Sequence, residues 1–143
     1  MGLAILIGGC LSGCATHNLQ GDSPPNVFIE ITNENYPTKL GTYCWNEVCV
    51  DTAGPIDMLT DSDMIKVIPG EDIQFVMDFE PPPTTIELTE FRGNEGEVNV
   101  GLQNLHFTAP TQKGIYYYSY WLRWQKDNIS IGDAYYAFAL EVN

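Results

Sequence analysis

Between Ile115 and Trp124 the chain reads IYYYSYWLRW, and nearly the same pattern returns at AYYAFALEV, Ala134–Val142. Side chains of a strand alternate between two faces, so each segment carries two separate sets of residues. Tyr116, Tyr118, Tyr120, Leu122 and Trp124 share one face of the first, and Tyr136, Phe138, Leu140 and Val142 one face of the second. No helical register gathers either set on one side, so the pair demands two long strands over a common core. The opposite faces hold Tyr117, Ser119, Trp121 and Arg123 on one strand, and Tyr135, Ala137, Ala139 and Glu141 on the other. With the two faces matched, Tyr117 and Trp121 lie over small alanines and form an aromatic shelf edged by Tyr135 and Arg123. Aromatic residues and arginine are the side chains that dominate binding hot spots. The competing expectation is that the nearby DMLTD segment covers this shelf, because large exposed apolar patches are uncommon.

The same alternation runs through VFIEI, MIKVI and IQFVMDF, while Pro69-Gly70, Pro81–Pro83 and Arg92–Glu97 read as turns or breaks. Only Gly54–Asp63 has a helical look, worth one or two turns, with Pro55 suited to a helix start. The expectation is an all-β sandwich of seven to nine antiparallel strands over residues 27–143. VIPGEDIQFVMDF resembles a strand, turn and core strand of an immunoglobulin-like domain, and APTQKGIYYYSYWLRW resembles a late strand of that class. The chain has no long-range Cys–Trp–Cys framework, which sets it apart from antibody domains.

Cys44 and Cys49 stand in GTYCWNEVCVD. A two-residue loop at Asn46-Glu47 sets Trp45 opposite Val48 and Cys44 opposite Cys49, in a non-hydrogen-bonded pair close enough for a disulfide. A four-residue loop closed by the same bridge is equally allowed. Such a bridge suits an oxidising compartment.

The N-terminal residues give an address. Leu3–Ile7 is an apolar run far too short to span a bilayer, which takes about 20 residues. It has the length of a signal-peptide core. Leu11-Ser12-Gly13-Cys14 then resembles the lipobox of bacterial lipoproteins, a branched apolar residue and two small ones before a cysteine. The resemblance implies loss of residues 1–13, a lipid on Cys14, and an extracytoplasmic protein held to the membrane by that lipid. No Lys or Arg precedes the apolar run, a departure from the usual signal peptide. Residues 14–26, polar and containing Pro24 and Pro25, read as a flexible tether. Together with KLGTYCW and CVD, these features are similar to Gram-positive surface lipoproteins, which implies a compartment and a fold.

Charge and chemistry narrow the function. Six Lys+Arg against 19 Asp+Glu give a formal net charge of −13. Such a surface repels nucleic acid and anionic headgroups. The single histidine beyond the tether, His106, alternates with Leu105 and Phe107 and reads as a strand residue. Asp51, Asp57, Asp61 and Asp63 lack the spacing of a calcium loop. Glu87, Glu90, Glu95 and Glu97 carry no specific acid–base pattern, and neither hydrolase nor phosphate-binding motifs are found. The expectation is therefore a monomeric binding module, not an enzyme, without cofactor or metal. Its binding residues are Tyr117, Trp121, Arg123 and Tyr135, and its partner is an envelope protein or glycan. Asp57, Met58 and Leu59, and the loop Arg92–Glu97, are secondary candidates because loops on rigid scaffolds carry function. An inhibitor that inserts the loop Phe79–Thr85 into an extracytoplasmic protease is the alternative, and a carboxylate hydrolase a third.

Overall fold

The computed structural model describes residues 18–143. Among the described residues eleven strands form two sheets, antiparallel but for one pair, more strands than the sequence suggests because short edge strands are added around the expected core. The smaller sheet has the order β2-β1-β6-β9, made of Glu34–Pro37, Phe28–Ile31, Asp72–Val76 and His106–Thr108. The larger has the order β4-β3-β11-β10-β7-β8, made of Val48–Val50, Lys39–Trp45, Ile129–Val142, Gly114–Lys126, Thr85–Phe91 and Glu97–Val100. Strand β5, Met64–Val67, adds to this sheet by pairing in parallel with β11. In immunoglobulin terms β1, β6 and β9 stand as strands A, B and E, and β11, β10, β7 and β8 as G, F, C and C′. The hairpin β3–β4 and a one-turn helix α1, Pro55–Met58, are inserted before β5.

The core lies where the alternation places it. Tyr118, Tyr120, Leu122 and Trp124 of β10 and Tyr136, Phe138, Leu140 and Val142 of β11 are all buried. They meet Ile29, Ile73, Phe75 and Phe107 from the smaller sheet. Aromatic contacts bind the two layers: Phe75 stacks on Tyr120 with ring centroids 3.7 Å apart and meets Phe138 edge-on at 5.6 Å, while within the larger sheet Trp45 meets Trp124 edge-on at 5.0 Å. Burial raises the pKa of Tyr118, Tyr120 and Tyr136 well above the usual tyrosine value. One charged residue joins this interior. Glu90, 4% exposed, accepts a hydrogen bond from the Tyr118 hydroxyl at 3.0 Å and another from Arg92 Nε.

Four tight turns share one construction. Thr32-Asn33, Asn46-Glu47, Asn104-Leu105 and Asp127-Asn128 each have positive φ at both residues. That is the type I′ geometry whose twist matches paired strands. Each pair includes Asn or Asp, the non-glycine residues that tolerate this region best. The register therefore puts Cys44 opposite Cys49, as expected, and the two form a disulfide with a Cα–Cα distance of 4.1 Å.

The N-terminal segment behaves differently from a free tether. Its described part, residues 18–26, lies against the body as a strap. Leu19 is buried, and its N–H and C=O pair with the Asn46 side-chain amide at 2.7 and 2.6 Å. Trp45 Nε1 donates to the Gly21 carbonyl at 3.1 Å, and the Tyr136 hydroxyl donates to the Pro25 carbonyl at 2.6 Å. Gly132 makes the seat. A Cβ there would come within 2.5 Å of Leu19 Cδ1 and 2.9 Å of the Trp45 ring. Apolar and amide contacts override the polar, proline-containing composition that suggested a mobile link. The signal peptide, the lipobox and Cys14 lie outside the described residues.

Candidate functional site

The outer face of the larger sheet follows from its register. Cys44, Asp133, Arg123 and Thr85 form one row across β3, β11, β10 and β7. Two residues further along come Tyr135, Trp121 and Glu87, then Ala137, Ser119 and Thr89, then Ala139, Tyr117 and Phe91. All four expected binding residues thus project from one face of one sheet.

A lid divides them. The helix α1 and Leu59 fold over the alanine rows, and Leu59 packs with Ala137 and Ala139 beside Met58, Met64 and Tyr117. The alanines explain the location, since larger side chains there would hold the lid off. A latch fixes the next turn, where Asp63 Oδ2 accepts from the Thr60 backbone N–H at 2.8 Å and its hydroxyl at 3.0 Å. Lys39 Nζ reaches the same oxygen at 3.2 Å and the Met58 carbonyl at 3.4 Å. The Thr60 backbone bond, then the Lys39 and Thr60 side chains, hold the Asp63 carboxyl below its ordinary pKa.

The expected shelf is therefore half covered. Tyr117 lies beneath the lid, and Leu59 is turned inward rather than offered to a partner. Trp121, Arg123 and Tyr135 stay outside it. The Trp121 and Tyr135 rings lie 6.1 Å apart at 27°, and Trp121 Nε1 donates to Asp133 Oδ2 at 3.3 Å. Tyr135 is 41% exposed. Its pKa is raised by partial burial first and by Asp133 and Glu87 next, so its hydroxyl stays protonated at neutral pH. Arg123 faces Asp133 across the strand pair, so this ledge mixes ring faces with both signs of charge.

Between the ledge and the lid lies a cleft of about 260 Å³. Tyr135, Phe91, Pro55 and Met58 supply its apolar walls, Thr42 and Thr52 a polar rim, and Gly41 and Ala137 part of the floor. At Gly41 a Cβ would stand 3.2 Å from the Tyr135 carbonyl oxygen, so a side chain there would crowd the cleft. The sequence points to Tyr135 and Met58 among these walls but not to Pro55 or Phe91. Pro55 signals a helix start without telling which surface the helix caps. Phe91 shares its strand face with Thr89 and Glu87, which hid it among polar neighbours.

Other hollows are larger but more open, and two of them are polar. One of about 670 Å³ surrounds Asp72 and His106, whose Nδ1 lies 3.0 Å from Asp72 Oδ2. Another of about 510 Å³ lies between Arg92, Glu95 and Lys113. The carboxylates considered for acid–base work diverge, for Glu90 faces the core while Glu87 is on the outer face and Glu95 and Glu97 are exposed. In the acidic run, Asp63 serves the latch and Asp51 accepts from the Thr42 hydroxyl at 3.1 Å. Among the described residues no three potential metal ligands converge. The loop Phe79–Thr85 is tied down: Phe79 packs edge-on against Trp45 and Trp124, and the Pro81 carbonyl accepts from Trp124 Nε1 at 2.8 Å. Arg92 in the other candidate loop is engaged by Glu90, which raises its pKa. No protein family, curated protein or solved structure matches the chain.

Proposed function

We propose that this protein is a lipid-anchored extracytoplasmic binding module that presents the outer face of its larger sheet to a cell-envelope protein or glycan, with no catalytic role. The observation that carries this reading is the half-exposed Trp121–Tyr135 pair beside the cleft. Its rings rise from the middle of strands of 13 and 14 residues whose other faces are core. A partner therefore meets a preorganised surface and little ordering entropy is lost on binding. Tyr, Trp and Arg at the centre of such a surface supply large contact area and a charged handle. The oxidised Cys44–Cys49 pair supports an extracytoplasmic setting. The Leu11–Cys14 motif supports the anchor.

The test is capture from envelope extracts with the wild-type chain and with Trp121→Ala, read beside thermal unfolding. Retained folding with lost capture is the expected result. Equal capture by both proteins would remove the outer face as the binding surface.

A further inference from the structure

The strap fixes where the anchor leaves the body. Leu19 is held beside the Asn46-Glu47 turn, and Gly132 in its seat lies three residues from Ile129, which follows the Asp127-Asn128 turn. Both hairpin tips thus belong to one end of the sandwich. From Leu19 to Cys14 is five residues, a reach of at most about 18 Å at full extension. Strand β11 alone, 14 residues long, spans about 45 Å from this end to the other. The far end carries Gly70, Gly93 and Lys113 in its turns, and a lipid on Cys14 cannot seat the domain on that end while the strap is docked.

Exposed apolar side chains occur at both ends, with Val48 56% and Ile129 66% exposed at the tips and Ile68 65% exposed at the far end. Exposure alone therefore does not choose an orientation, but the exit point of the chain does. We infer that the anchored domain stands with its hairpin tips toward the bilayer, Val48 and Ile129 touching the interfacial layer. This rests on the lipid-anchor reading above. Glu47 and Asp127 flank the two apolar tips and Lys126, opposite Ile129, offsets one of them, so the tips carry no cationic excess and the surface that suits them is zwitterionic rather than anionic. The ledge would then face sideways. Trp121 and Tyr135 lie three residues from the row of Trp124 and Gly132, about 10 Å further from the tips. A partner would be met close to the membrane, alongside the domain instead of above it.

The full chain is produced in a bacterium, purified from membranes and placed in phosphatidylcholine nanodiscs containing a gadolinium-chelating lipid. Intact mass and backbone-amide NMR are recorded on the same sample. The expected result is an acylated chain lacking residues 1–13, with amide signals lost at Glu47, Val48, Asn128 and Ile129 and kept at Gly70, Gly93 and Lys113. An acylated chain with uniform attenuation, or with loss at the far end or along one flank, overturns the orientation and leaves the anchor standing. An unmodified full-length mass overturns both. In the double variant Val48→Ser, Ile129→Ser, both sites being exposed, tip signals partly return while thermal unfolding stays unchanged. Undiminished loss in that variant overturns the apolar contact.

Discussion

The two faces of the β10–β11 pair share a backbone, yet they are organised by different rules. On the inner face every residue from Tyr118 to Trp124 and from Tyr136 to Val142 is buried against a second sheet. On the outer face burial changes within a few residues, from Ala139 at 0% exposure under the lid to Tyr135 at 41% beyond it. A whole sheet covers one face and a short segment covers part of the other. Alternation in sequence reports the first arrangement, whereas the second depends on where a loop happens to land.

The sharpest way to break this contrast is to truncate one tryptophan on each face. Trp124→Ala removes an inner ring and its bond to Pro81, and should lower unfolding stability by about 3–5 kcal/mol. Trp121→Ala should cost about 1 kcal/mol or less, because its neighbours already face solvent. Urea melts read both, and similar losses would mean the outer face is core after all. Leu59→Ala tests the lid next. It should cost about 2–3 kcal/mol and speed amide exchange at Ala137 and Ala139 without disturbing Phe138 side-chain packing. Global loosening would show that the lid belongs to the main core.

Legibility followed the same divide. The inner set was readable because five alternating apolar residues in a row admit one geometry. The Cys44–Cys49 bridge was readable because a two-residue turn leaves one partner for each thiol. On the outer face Tyr117 and Trp121 look alike in sequence, and only the packing of Leu59 on the alanines separates them. The strap escaped for a related reason. Leu19 is one apolar residue in a polar stretch, and its partner, Asn46, is 27 residues away.

Smaller effects refine the comparison at its margins. Replacing Cys44 and Cys49 by alanine should lower stability by about 2 kcal/mol on the chain-entropy model and leave the inner aromatic contacts intact. Near-ultraviolet circular dichroism checks the second part. The smallest effect is the latch. The native Asp63 pKa is depressed, so its contribution is complete above the unfolded value of about 3.9 and fades as pH falls through the native one. Protection of the Leu59 amide, its exchange rate relative to that of an unstructured amide at the same pH, should therefore hold steady from neutrality to about pH 4 and fall below it, and Asp63→Asn should abolish that acid-dependent fall.

The four paired turns restrict how such a molecule can diverge. A connection of two residues is a counting device. One inserted residue, unless a bulge absorbs it as one absorbs Ile131 between Ser130 and Gly132, shifts the following strand by one and exchanges its two faces, so core tyrosines would meet water and ledge residues would enter the interior. Variation in length is therefore costlier at the Asn46-Glu47 and Asp127-Asn128 tips than in the open loops at Arg92–Gly96 and Pro110–Lys113. Relatives that acquire new specificities by lengthening loops would be built outward from that opposite rim, while the tips stay constant in size.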